Sequence, residues 1–241
     1  DDFLRELSFY LGYKSILRLA TTNAEMNNAM KRVVMKMETP YLPVFSTYTG
    51  LKMVRFISYK EQPHFPPNLT DLMVTYSSRV APYNVPKSLT KLMILSTTHG
   101  HFDFTDQLPQ SLVYLDVWSM GSLYHLKRLP NLETLIVGCF TRPHDDKYYI
   151  PPTLTRLEVL NWVPSGRSIG VLCPYIHENI KTLVLKQCDS TFSIDSLPKG
   201  ITNLTVIGST FGIRSDERFN EGLVSLTLGA PMRREFNPRT F

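Results

Sequence analysis

The nine residues Pro86-Lys87-Ser88-Leu89-Thr90-Lys91-Leu92-Met93-Ile94 set a pattern that returns down most of this chain. The same spacing of three apolar residues stands at Leu69/Leu72/Val74, Leu112/Leu115/Val117, Leu132/Leu135/Val137 and Leu154/Leu157/Val159. It continues at Ile180/Leu183/Leu185, Ile201/Leu204/Val206 and Leu223/Leu226/Leu228, and a weaker version opens the series at Leu51, Val54 and Phe56. Between successive second leucines, from Leu72 to Leu226, the steps are 20, 23, 20, 22, 26, 21 and 22 residues. A proline precedes most of the triplets, whereas Glu178-Asn179 and Glu221-Gly222 stand before two of them.

Self-similarity at a period of about 20–29 residues, with a Leu-x-x-Leu-x-Leu core, marks a leucine-rich repeat. Each repeat supplies one short strand that cannot bury its apolar side alone, so neighbours stack in parallel and share a core. Side chains alternate along a strand, which directs the two leucines and the following Val, Ile or Leu inward and the residues between them outward. With a step near 22 residues there is no length for a long return helix, so the returns are expected to be extended or single turns, with an insertion around Gly170–Tyr175. Proline fixes φ and lacks a donor, which suits an irregular approach to a strand. The asparagine that many such repeats carry beyond the strand is largely missing, since Ser77, Thr97, Met120, Phe140, Trp162, Cys188, Ser209 and Pro231 occupy that place. The expected fold class is α+β: a short N-terminal helical cap, then an irregular leucine-rich-repeat solenoid with a parallel concave sheet.

Residues 1–42 follow a different period. Phe3, Leu4, Leu7, Tyr10 and Leu11 fall at helical spacing, as do Ile16, Leu17, Leu19 and Ala20. Thr22-Asn23-Ala24-Glu25 has the form of a capping box and announces a third helix, whose apolar face reads Met26, Met30, Val33 and Met37. Pro40 and Pro43 close the helical stretch, and 43–241 is assigned to about eight or nine repeats.

The chain has 241 residues, 43% of them hydrophobic, so it has the composition of a folded protein and not of a disordered one. No apolar run approaches the eighteen or so residues of a membrane span. The first residues, Asp1-Asp2-Phe3-Leu4-Arg5, lack the form of a secretory leader. Three cysteines (Cys139, Cys173, Cys188) are too few and odd in number for a disulfide framework, which points to a reducing compartment, cytoplasm or nucleus. The net charge of +5 is scattered, with Arg233-Arg234 as the one dense pair, so no basic stripe for nucleic acid is present.

Phe3 to Asn23 resembles an F-box: Leu4 to Leu7 matches its first helix, Tyr10-Leu11 its middle, and Ile16-Leu17-Arg18-Leu19 its second, with Ser15 where the motif commonly has Asp. The Pro-x-Ser-Leu-Thr-x-Leu cadence, clearest at Pro86–Ile94 and next at Pro198–Val206, is similar to the FNIP-type repeats found beside F-boxes in amoebae and large DNA viruses. Phe236-Asn237-Pro238 is the nearest approach to the element that names them. The resemblance implies a non-catalytic substrate-recognition subunit of a Skp1–cullin ubiquitin ligase. Phe3, Leu4, Leu7, Leu11, Ile16 and Leu17 would then meet a Skp1-like adaptor, and the repeats would hold a recruited protein. The other reading of residues 1–42 is a helical cap, which every repeat array needs at its ends.

Catalytic signatures are absent from the sequence: there is no phosphate-binding glycine loop, nucleophile elbow or Cys-x-x-Cys pair. His99-Gly100-His101 with Asp103 and Asp106, and His144-Asp145-Asp146, lack a further ligand at a zinc-like spacing and read as polar loops. No cofactor or metal is expected. The outward positions carry more information. Met93, Leu95, Tyr114, Asp116, Trp118 and Ile136 are expected on the concave face of repeats two to four. An exposed apolar patch with Tyr and Trp anchors is the composition of a protein-binding surface.

Overall fold

The computed structural model describes residues 13–20, 24–32, 35–39, 51–57, 65–66, 68–76, 85–96, 108–120, 123–140, 149–160, 176–187, 197–208 and 219–229. The chain divides into two compact units, Asp1–Gly100 with Gln107–Val113, and His101–Asp106 with Tyr114–Phe241.

The first unit holds helices α1 (Tyr13–Ala20) and α2 (Ala24–Arg32), then strands β1 (Met35–Thr39), β2 (Leu51–Ile57), β3 (Asp71–Tyr76) and β4 (Lys91–Ser96). The strands pair in parallel and in chain order. β1 corrects the reading of the third helix, which ends at Arg32; Met37, expected on its apolar face, pairs instead with Val54. The ladder with β2 supplies Met35–Thr39 with backbone partners from another part of the chain. The sheet therefore starts at Met35, inside the stretch assigned to the helical head. Val33 lies outside the described residues, as do Thr22 and Asn23 of the capping box.

The second unit holds β5 (Tyr114–Met120), a 3₁₀ helix (Leu123–Arg128), β6 (Thr134–Phe140), β7 (Arg156–Val159), β8 (Thr182–Lys186), β9 (Asn203–Ile207) and β10 (Ser225–Gly229). These six strands are again parallel and paired in chain order. The 3₁₀ helix is a return of the short kind the repeat length allows, and it is pinned by buried Leu126 and Leu129.

The register follows the repeat. Leu115, Leu135, Leu157, Leu183, Leu204 and Leu226 stand in one row across the second unit, and Val117, Val137, Val159, Leu185, Val206 and Leu228 in another. In the first unit Val54, Leu72 and Leu92 align, as do Phe56, Val74 and Ile94, so the degenerate opening triplet is a true repeat. From Leu69 to Val206 every residue of the three anchor rows is at most 2% exposed.

Just before each strand, the amide of the first anchor donates to the carbonyl three residues earlier. Leu69 bonds Pro66, Leu89 bonds Pro86, Leu112 bonds Pro109, Leu154 bonds Pro151 and Ile201 bonds Pro198, at 3.0–3.3 Å. Proline sits in the one place of this turn where only an acceptor is asked of it. The small polar residues of the cadence tie neighbouring repeats together. Ser88 Oγ donates to Leu69 O, Ser111 Oγ to Leu89 O and Thr153 Oγ1 to Leu132 O, at 2.7–2.9 Å. One turn further, Thr90, Thr155 and Thr202 hydroxyls donate to the carbonyls of Thr70, Glu133 and Lys181. Where the Ser/Thr place is Gly200, the reason is close approach: a Cβ there would overlap the backbone carbonyl of Glu178.

Candidate partner-binding face

The residues between the anchors form outward rows with the same register. On β5, β6 and β7 of the second unit, with Leu160 just past the end of β7, they make a three-by-three grid: Tyr114, Asp116 and Trp118; Thr134, Ile136 and Gly138; Arg156, Glu158 and Leu160. Thr134 lies between Tyr114 and Arg156, and Ile136 between Asp116 and Glu158. β6 carries the smaller side chain at both ends of the grid, Thr134 between Tyr114 and Arg156 and Gly138 next to Trp118, whereas in the middle row Ile136 stands between Asp116 and the buried Glu158. β5 and β7 are two strand spacings apart, roughly 10 Å.

Trp118 is half-buried, and its setting explains how. A Cβ at Gly138 would overlap the Trp118 carbonyl oxygen and come within 2.8 Å of Cε3 of its ring. The indole therefore lies against the bare glycine backbone, which fixes its orientation while leaving the residue partly accessible. Such a ring loses little conformational freedom when a partner arrives, which favours it as an anchor.

The polar end of the grid is also organised. Arg156 donates from Nε, at 2.8 Å, and from Nη2 to the same oxygen of Glu158, Oε1. Glu158 is only 8% exposed and is the one buried charged residue among those described. Burial raises the pKa of Tyr114 above its ordinary value near 10.0; the negative charges of Asp116 and Glu158 raise it further, Arg156 opposes them, and the hydroxyl donates to Asp116.

The six residues expected on one face divide between the units. Met93, half-buried, and Leu95, 38% exposed, lie on β4 of the first unit, where Met93 pairs with Met73. Tyr114, Asp116, Trp118 and Ile136 are all half-buried and lie together in the second. The outward row is not uniformly open: Glu158 and Val184 are buried. Arg156 and Glu158 were legible as outward positions, but their pairing was not, because nothing in the sequence says that two residues of one strand will lean together.

Of the residues expected to meet an adaptor, Phe3, Leu4, Leu7 and Leu11 lie outside the described residues, and of Leu17 only the helical backbone is described. Ile16 is 1% exposed, packed within its unit. The two histidine-containing loops lie outside the described residues. Among the described residues no group of three His, Cys, Asp or Glu is placed to hold a metal, and no helix is long and apolar enough to cross a membrane.

No protein-family model and no curated protein matches the chain. Among solved structures it is similar to CroV588, described as a novel circular LRR protein structure, with a TM-score of 0.54 at 19% identity. The match covers 76% of this chain and 28% of that one, so this chain spans under a third of that protein's length. The likeness is one of fold: with the parallel register, it gives this chain a parallel β-solenoid that matches the leucine-rich-repeat fold.

Proposed function

We propose that this chain is a non-catalytic protein-interaction adaptor, with the outward rows of its sheet as the recognition surface. The observation that carries this reading is the β5–β7 grid, where an oriented Trp, a Tyr and an Ile surround fixed charges on a rigid ladder. Aromatic anchors held by a preformed scaffold are what tight protein recognition uses. In the finer form of the reading, the chain is the substrate-recognition subunit of a Skp1–cullin ubiquitin ligase in the cytoplasm or nucleus. The F-box resemblance of Phe3 to Asn23 supports it. A Skp1-like protein would then bind the N-terminal helices and the recruited protein the sheet.

A specific observation favours the second reading, a scaffold whose helices only cap the repeats. α1 packs on β1, and Ile16 is already buried. Co-purification with Skp1 separates the two. As an adaptor, the wild-type chain binds Skp1 at micromolar concentration, and Leu7→Asp with Leu11→Asp abolishes binding while the repeats stay folded, since a buried carboxylate at an apolar interface costs several kcal/mol, on the order of a hot spot. Absence of Skp1 binding by the wild type leaves the cap.

A further inference from the structure

Glu158 poses a question that the fold does not answer. A carboxylate this buried needs donors, because an unpaired charged oxygen away from water is costly. Arg156 places both of its bonds on Oε1, and no hydrogen bond from the described residues reaches Oε2. Among those residues the only fully enclosed side-chain oxygen without a partner is Asn220 Oδ1, so Glu158 Oε2 keeps access to the surface. Ile136 is the register neighbour of Glu158, and Asp116 stands on the other side of Ile136. Two carboxylate residues thus flank one apolar residue in a single row, with Tyr114 and Trp118 on the β5 side.

Resting on the adaptor reading, we propose that this row takes one arginine side chain from an extended segment of the partner protein. The methylenes would lie on Ile136 and the guanidinium between Asp116 and Glu158 Oε2. Charge complementarity selects a cation. The planar, weakly hydrated guanidinium is preferred over an ammonium because it stacks on aromatic faces and donates in two directions at once. Arg156 shows that the local geometry already accepts a guanidinium fork at Glu158.

The probe is a blocked peptide, acetyl-Val-Thr-Arg-Val-Thr-amide, titrated into the full chain carrying Trp162→Phe, so that Trp118 alone reports by fluorescence; calorimetry gives an independent constant. The same peptide with citrulline, which keeps the shape and removes the charge, is expected to bind about tenfold more weakly. Asp116→Asn and Glu158→Gln are each expected to weaken the arginine peptide roughly fivefold or more. Glu133→Gln, which removes an exposed carboxylate just ahead of β6, is expected to change affinity less than about twofold at physiological salt. Asp116 is half-buried, so its variant keeps the test decisive if Glu158→Gln folds poorly. Equal binding of the arginine and citrulline peptides, equal loss in the Glu133 and Glu158 variants, or no saturable binding at millimolar peptide overturns the proposal. Skp1 co-purification is read on the same preparations. Retained Skp1 binding without peptide binding sinks the arginine site and leaves the adaptor, and the reverse result sinks the ligase role alone.

Discussion

β9 and β10 carry nearly the same words, Ile201/Leu204/Val206 and Leu223/Leu226/Leu228, yet they sit in different surroundings. The three anchors of β9 are at most 2% exposed, whereas those of β10 are only half-buried and Val224 beside them is 83% exposed. Both strands have full parallel register on the side they share. The difference is that β9 is stacked on both sides and β10, among the described residues, on one. A repeat's core is therefore made by its neighbours. The leucine is the same, but half of what buries it belongs to the next turn of chain, which is the nearest-neighbour energetics expected of a repeat array.

The largest expected effect tests that statement directly. Leu157→Ala, in a repeat stacked on both sides, is expected to cost roughly 2–5 kcal/mol in urea unfolding, as deletions from packed cores do. Leu226→Ala, at the same place in β10, is expected to cost about half as much or less, because less surface is removed from water there. Equal costs at the two leucines would mean that burial is set within a repeat and not between repeats.

A smaller contrast separates the inter-repeat hydroxyl bonds from the outward rows. Thr153→Val removes the bond to Leu132 O and is expected to cost about 1 kcal/mol. Thr134→Ala, on the outward row of β6, is expected to stay below about 0.5 kcal/mol. The reverse ranking would place the strand phase one residue out, since such a slip exchanges the buried and exposed sets.

The smallest effect is on titration. Tyr114 is expected to ionise above pH 10.0, and Asp116→Asn to lower its midpoint, as followed by the ultraviolet absorbance difference from Tyr114→Phe. The folded chain holds this proton longer than the unfolded chain does. The group's contribution to stability is thus intact below the ordinary tyrosine value near pH 10 and is lost as the pH rises from there through the raised folded value.

The strands were legible because two signals agreed, a fixed period and alternation within it. Leu115 and Leu135 had to align once the step between them was 20 residues, and they do. The tail of the third helix was misread because Met26, Met30 and Met37 keep helical spacing, whereas the ladder with Leu51–Ile57 that claims Met37 is a long-range partner no local pattern announces. Nothing in the cadence says what its Ser and Thr bond; their hydroxyls reach the preceding repeat, a role visible only when the repeats are stacked. At the candidate face, Tyr114, Asp116, Trp118 and Ile136 followed from alternation alone. The Gly138 seat under Trp118 and the lopsided Arg156–Glu158 pair did not, because they depend on how side chains lean across strands.

Val117 and Trp118 are adjacent on β5, one in the buried row and one outward, and together they test the central claim that stability and recognition are divided between the two sides of the sheet. The measurement is melting temperature and arginine-peptide affinity per folded molecule, by calorimetry, for Val117→Ala and Trp118→Ala. Val117→Ala is expected to lower the melting temperature by several degrees and leave affinity unchanged. Trp118→Ala is expected to weaken binding by about 2 kcal/mol with a much smaller thermal shift. If Trp118→Ala unfolds the chain while affinity per folded molecule survives, the indole belongs to the core, and the outward rows are not the recognition surface.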